Sequence, residues 1–278
     1  MLAKIFFGEM NMRLFKYVSI ETMTKIIKNK CLRFTQPCQL NDPFEMIPVY
    51  SNDITKLDIT GWLSKEDIIE FNKYLFNVNY LGLSMSKCMD SILMWAHYGE
   101  NHYGVMLEFN LDSNFFDTKN SEGLIYSVPY STKRPTFVSN DIVIKASYNK
   151  VSGEERNEMC NCILSKAECW DYEEEVRFIK PVSCLEKDDG TRSLYDLDGS
   201  GLIKSLFKPN RNELKLEFPE IFVKKMENDT IKAVYFGLKT GEESINNIKK
   251  DLKEQGINPR YYQAKASQAE FKICYMEI

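Results

Sequence analysis

Between Trp170 and Arg177 the chain reads Trp-Asp-Tyr-Glu-Glu-Glu-Val-Arg. Taken as a strand, this stretch puts Glu173, Glu175 and Arg177 on one face, because strand side chains alternate with a period of two. A purely structural strand would carry Val or Ile there. Oriented carboxylates are what acid–base work and the stabilisation of an oxocarbenium centre require, so Glu175 and Glu173 are the first catalytic candidates. The plain alternative is an ion-paired surface strand. The two histidines, His97 and His102, both fall in the segment Leu93–Gly104, which also holds Trp95, Tyr98 and Tyr103. Those rings can stack on a planar ligand, and Gly99 and Gly104 let backbone approach it. The same aromatics can equally fill a core. His97 joins the catalytic candidates, and His102 is placed on the substrate side.

Other chemistries lack their marks. Two histidines five residues apart do not match the helical zinc pattern of two His four apart, and there is no third, so no metal is expected. Cys160, Cys162 and Cys169 read as small buried residues on a helix rather than as ligands. The eight cysteines form no Cys-x-x-Cys pair and are expected to be reduced. No Gly-x-Ser-x-Gly elbow and no Walker or Rossmann glycine fingerprint occurs.

The elements that must position the candidates follow from periodicity and caps. Arg13–Tyr17 reads as a strand, followed by a helix capped by Ser19 with apolar Ile20, Met23, Ile26 and Ile27. Leu32–Thr35 is a second strand, and Asn41-Asp42-Pro43-Phe44-Glu45 is a turn whose Asn and Asp can bond to backbone. A helix is expected over Ser64–Phe76. Tyr80–Ser86 is a strand with Leu81, Leu83 and Met85 on one face and Gly82, Ser84 and Ser86 on the other. Asp90 is expected to cap a short helix ended by Gly99, and Gly104–Phe109 returns as a strand. A helix over Gly153–Glu168 leads into the carboxylate strand. Ile231–Gly237 (strand), Glu242–Glu254 (helix), and Arg260–Ala264 with Phe271–Ile278 (strands) close the chain.

The fold class expected is α+β: a single domain over residues 1–278 with a split, mixed or mostly antiparallel sheet flanked by helices, and loop-rich insertions at 112–150 and 186–212. The 278 residues are 44% hydrophobic and 13% aromatic, enough for a sizeable core without staples. A net charge of −4 provides no global attraction to nucleic acid, which stays open as a partner only through a local patch. No run of 18 apolar residues and no signal-peptide pattern is present, so a cytoplasmic protein without a membrane partner is expected.

Lys16-Tyr17, the Asn41–Glu45 turn, Met94-Trp95-Ala96-His97-Tyr98-Gly99 with Gly104-Val105, and Trp170-x-Tyr172-Glu173-x-Glu175-x-Arg177 together resemble a widespread bacterial family, domain of unknown function 2971, over roughly residues 12 to 240. That label implies no activity. The order of parts also resembles the ADP-ribosyltransferase arrangement of a basic residue on a first strand, Ser-Thr-Ser on a middle strand and Glu-x-Glu on a late one. The matching positions are Arg13 or Lys16, Ser84 with Ser86, and Glu173 with Glu175; Met85 replaces the middle Thr. The resemblance implies NAD as substrate, held by the basic residue and Ser84, with Glu175 against the nicotinamide ribose as its glycosidic bond breaks. Lys16, Tyr17, Ser84, Ser86, Trp95, Tyr98 and Arg177 form the expected nucleotide-binding set. Asn41, Asp42, Glu45 and His102 form the substrate side, facing a macromolecular acceptor.

The leading expectation is therefore ADP-ribosyl transfer to a macromolecule or NAD hydrolysis, in a bacterial stress or phage-defence setting. Two others stand beside it: a non-catalytic nucleotide- or partner-binding module, and a metal-assisted nuclease or phosphodiesterase using His97, His102 and acidic residues.

Overall fold

The computed structural model describes residues 12–45, 48–50, 76–77, 81–116, 124–137, 161, 164–180, 182–187 and 221–278. Strand β1 (Phe15–Val18) leads into helix α1 (Ile20–Asn29). The Ser19 side chain accepts from the Thr22 backbone N–H, and Met23, Ile26 and Ile27 are buried as their spacing predicts. Then come β2 (Cys31–Phe34), β3 (Val49–Tyr50), β4 (Leu81–Ser86), α2 (Ile92–His97), β5 (Val105–Phe109), β6 (Leu124–Ser127), β7 (Tyr130–Ser131), β8 (Thr136–Phe137), β9 (Lys166–Ala167) and β10 (Glu175–Lys180). The last described elements are β11 (Glu186–Lys187), β12 (Phe222–Lys225), β13 (Ile231–Phe236), α3 (Glu242–Glu254), β14 (Arg260–Ala266) and β15 (Ile273–Glu277). The fold is mixed α+β, with few helices among the described residues.

The main sheet has eight strands in the order β15-β14-β13-β5-β1-β4-β10-β6. Its pairs are antiparallel except β13 with β14, which run parallel across the α3 crossover. Alternation sorts the side chains onto two faces. Leu14, Val18, Leu107, Val234 and Phe236 pack with Met23, Ile26 and Ile27 of α1 and Ile248 and Leu252 of α3. Phe15, Tyr17, Met106 and Tyr235 pack on the other face with Met94 and Trp95 of α2. Small sheets β11-β12-β2, β3-β8 and β7-β9 flank this core. No described helix is long and apolar enough to cross a membrane.

The sheet opens between β1 and β4. β4 pairs with β10 over six residues and β1 with β5 over four, but β1 and β4 share only the register pair Phe15↔Ser86. Farther along β4, Gly82 bridges to Thr35 instead, at the end of β2. The separation leaves the Ser84 carbonyl facing the gap, where Lys16 Nζ donates to it at 3.0 Å.

Three sequence expectations need correction. Ser91, not Asp90, caps α2: its side chain accepts from the Met94 N–H. The carboxylate stretch is not a strand throughout. Glu168–Glu173 forms a 3-10 helix, Glu174 turns the chain at φ 43°, and β10 begins at Glu175. The alternation of Glu173 with Glu175 imitated a strand period that the backbone does not have. Of the helix expected over 153–168, the described end is strand β9, and most of the remainder lies outside the described residues. The expected 64–76 helix, save Phe76, and all of 188–220 also lie outside them.

Candidate functional site

A cavity of about 230 Å³ occupies the gap. Phe15, Lys16 and Tyr17 of β1 line one side, Ser84, Met85 and Ser86 of β4 its middle, and Glu173, Glu175 and Lys166 the other side. Thr35, Gln39, Leu40 and Asn41 close it from the β2 side, with Glu45, Met94 and Tyr98 completing the wall.

Lys166 organises the acidic side. Its Nζ stands 2.5 Å from Glu173 Oε2, 3.3 Å from Glu175 Oε2 and 3.9 Å from Glu45 Oε1, and lies over the Trp170 ring at 4.9 Å. Burial lowers its basicity, yet Glu175 and Glu173 outweigh that, and its pKa is raised. Arg177, fully buried beneath the cavity, grips Glu175 with two bonds, Nε to Oε1 at 2.7 Å and Nη2 to Oε2 at 2.9 Å, and pairs with Glu45. Burial pushes its guanidinium down to about 9, against the upward pull of Asp42. Glu175 also accepts from the Ser84 hydroxyl, and its backbone N–H donates to Tyr130 Oη at 2.7 Å. Burial raises its carboxyl pKa despite Lys166 and Ser84.

The remaining wall is as tightly tied. Tyr98 Oη donates to Glu173 Oε1 at 2.6 Å and accepts from Asn41 Nδ2 at 2.8 Å. Burial first, then Glu173, raises the Tyr98 phenol and keeps it protonated. Ser86 Oγ donates to the Glu173 carbonyl at 2.6 Å, so this hydroxyl fixes the backbone that carries the carboxylates. Tyr17 Oη donates to the Cys88 carbonyl. Asp42 Oδ1 accepts from the Phe44 N–H and its carbonyl from the Glu45 N–H, which locks the Asn41–Glu45 turn and aims Glu45 at the cavity. Lys16 is pushed down to about 8 by burial, with Glu175 opposing and the neighbouring Arg33 adding to it.

Of the sequence candidates, Lys16, Tyr17, Asn41, Glu45, Ser84, Ser86, Tyr98, Glu173 and Glu175 line this one cavity. Arg177 and Asp42 stand just behind it and hold its lining residues. Three candidates fall elsewhere. Trp95 is fully buried, meets Tyr17 edge to face at 5.1 Å and donates from Nε1 to Tyr275 Oη, so it belongs to the core and presents no face to a ligand. His97 is exposed and lies off the cavity wall, its ring 6.1 Å from that of Tyr172. His102 stacks on Trp95 at 6.3 Å and borders a separate hollow with Ile92, Leu238 and Phe271. Its Nδ1 is buried without a hydrogen-bond partner among the described residues, and burial, then Lys239, lowers its pKa. Arg13, the alternative to Lys16, is engaged by Glu108 and Tyr235 away from the gap.

Sequence reasoning missed Lys166, Tyr130, Thr35 and Gln39. The surplus of candidate carboxylates over Arg177 asks for a second cation, but nothing local singles out Lys166 among the lysines. Among the described residues, no group of three or more His, Cys, Asp or Glu side chains could hold a metal ion.

No curated protein and no solved structure significantly matches the chain. A protein-family model does, over a span narrower than the sequence resemblance, which leaves Lys16 and the Asn41–Glu45 turn outside it. Through residues 94–178, which carry Tyr98, Lys166, Glu173, Glu175 and Arg177, the chain matches the family described as "Protein of unknown function (DUF2971)".

Proposed function

We propose that the cavity binds NAD and that the protein breaks its nicotinamide–ribose bond, passing ADP-ribose to a macromolecular acceptor or to water. The observation that carries this reading is the convergence of Lys16, Ser84 with Ser86, and Glu173 with Glu175. They come from the neighbouring strands β1, β4 and β10 and the turn before β10, and they line one hollow. That is the order of parts in the ADP-ribosyltransferase arrangement, and an opening in the middle of the sheet is the kind of split that reading expects. Fold likeness to those enzymes is part of the proposal.

The chemistry fits the groups present. As the bond from the ribose anomeric carbon to the nicotinamide nitrogen breaks, its electron pair leaves with the ring, whose positive charge is neutralised, and the sugar carbon becomes cationic. A carboxylate already fixed beside it lowers the barrier without reorganising. Glu175 is so fixed by Arg177, Lys166 and Ser84. The incoming oxygen or nitrogen then bonds to that carbon and loses a proton, for which Glu173 is the nearby acceptor. With Trp95 in the core, Tyr98 and Tyr17 are the aromatic walls for the ring. At about 230 Å³ the cavity falls below the ~300–1,000 Å³ of pockets that enclose a whole drug-sized ligand. It therefore takes the nicotinamide riboside end, and the rest of the dinucleotide runs out along the mouth.

Incubation of purified protein with NAD and cell extract should release nicotinamide, and Glu175→Gln should reduce the rate by about a hundredfold or more. Equal release by both proteins, or none from the wild type, would remove the reading. Thermal stabilisation by a nucleotide without turnover would instead support a binding module. The metal-assisted reading gains nothing from the geometry, since both histidines lie off the cavity wall.

A further inference from the structure

Beside the cavity, on β2, stands a cation that the candidate set above does not contain. Arg33 lies on β2, two residues before Thr35, so the two share a strand face, and Thr35 lines the cavity. The Arg33 side chain is exposed, and its Nη2 donates to Gln39 Oε1, another lining residue. Burial depresses the Lys16 ammonium, and the charge of Arg33 adds to that in the same direction. Among the described residues, neither Arg33 nor Lys16 forms an ion pair with a carboxylate; Lys16 instead donates to the Ser84 carbonyl. Lys16 in the lining and Arg33 bonded to the lining residue Gln39 thus put two cations on the β1–β2 side, neither ion-paired among the described residues. The carboxylates Glu173, Glu175 and Glu45 crowd the other, held by Lys166 and Arg177.

Juxtaposed like charges are costly unless an anion joins them. The planar guanidinium suits a phosphate, whose oxygens accept two parallel N–H bonds, in a way that the Lys16 ammonium does not. The opposite, acidic wall suits a cationic ring. A ligand with a cationic ring and a phosphate one sugar away matches both sides at once.

We infer that Arg33, with Lys16 behind it, is the phosphate-binding residue of this cavity and receives the diphosphate of a nucleotide whose base end enters between β1 and β4. The inference rests on the NAD reading only for the identity of that nucleotide; the phosphate site is tested without it. In the free protein the guanidinium donates to Gln39 of the cavity lining, and a phosphate takes the remaining N–H donors.

Calorimetric titration with inorganic pyrophosphate, with ADP-ribose and with adenosine, on the wild type and on Arg33→Gln and Arg33→Lys, decides it. Arg33 is exposed, so neither substitution should disturb the core, and unchanged melting curves check that. Pyrophosphate and ADP-ribose are expected to bind the wild type and to lose about tenfold or more in affinity in Arg33→Gln. Arg33→Lys should recover only part of this loss, and adenosine should not distinguish the three proteins. Equal pyrophosphate binding by wild type and Arg33→Gln, or no binding by the wild type, overturns the inference. If Arg33 governs pyrophosphate binding but NAD stays intact, NAD cleavage falls and the phosphate site stands. If NAD is cleaved with the same KM in Arg33→Gln, the phosphate site falls and NAD cleavage stands.

Discussion

Glu173 and Glu175 share a single ammonium, that of Lys166, at 2.5 and 3.3 Å, in a place where almost no side-chain surface reaches water. Burial of an ion cluster is costly, and removal of one partner leaves the others uncompensated. Lys166→Met should therefore destabilise the protein by about 3–5 kcal/mol in urea titration, whereas an exposed pair such as Lys25–Glu21 should contribute under ~1 kcal/mol. Because the folded-state pKa of Lys166 stands above its ordinary 10.5, its contribution is complete below that pH and disappears as the pH rises through the folded value. The gap between wild type and Lys166→Met should accordingly be flat from neutral pH to about 10.5 and close above it. Lys16 has the opposite sign. With a folded pKa of about 8 against 10.5, the native state disfavours its charge fully below pH 8, and the penalty fades by 10.5. Relative to Lys16→Met, the wild type should gain stability across that window; a difference that does not change with pH would show that Lys16 titrates normally. The types and approximate neighbourhood of the carboxylates were legible in the sequence. Their cation was not, because Lys166 reaches them through a 3-10 turn rather than along a strand face.

At the scale of elements, local signals were legible wherever the stabilising contacts are themselves local. α1 begins at its Ser19 cap, and α3 occupies Glu242–Glu254, the bounds expected of it. The α2 cap was misplaced by one residue, since Asp90 and Ser91 are both good caps and only the backbone path selects between them. Ser91→Ala should cost about 1 kcal/mol in thermal unfolding, and Asp90→Ala under ~0.5 kcal/mol; the reverse ranking would return the cap to Asp90. Behind α2 the chain makes a left-handed turn in which Glu100, Asn101 and His102 all have positive φ. Each non-glycine residue there costs on the order of 1–2 kcal/mol, so tertiary contacts must impose the turn. Glu100 accepts from the Ile20 N–H at the start of α1, and the His102 carbonyl accepts from the Lys239 N–H. Gly104 then passes so close to β1 that an added Cβ would lie 2.3 Å from the Val18 carbonyl oxygen. Gly104→Ala should consequently lower stability by more than about 2 kcal/mol, by pushing apart backbone that cannot give way. Of the glycines flagged in the sequence as room for a ligand, Gly104 is room for backbone and Gly99 room for the Trp95 ring and backbone.

At the scale of the molecule, the opening of the sheet creates the site; a split sheet was expected from the order of parts, but no local pattern in the sequence says between which strands it opens. Each strand beside the gap was legible by alternation, but register between β1 and β4 depends on residues some 70 positions apart, which no local pattern encodes. The eight-stranded sheet divides into two half-sheets, β15-β14-β13-β5-β1 and β4-β10-β6, joined along the gap by Phe15↔Ser86 and the Lys16–Ser84 bond, while Gly82 of β4 bridges to Thr35 at the end of β2. A ligand held by Lys16 on one half and by Glu175 and Ser84 on the other must tie the halves together. Opening fluctuations that separate them would then be suppressed by an amount that grows with the logarithm of ligand concentration, about 2.7 kcal/mol at 100 Kd. With ADP-ribose present, amide exchange should slow together in peptides covering 15–18 and 81–86, while 260–277, at the far edge of the sheet, should not respond. Protection on one side of the gap alone would mean that the ligand sits on a half-sheet and not between the two, and a response limited to 260–277 would move the site to the hollow beside His102 and Phe271.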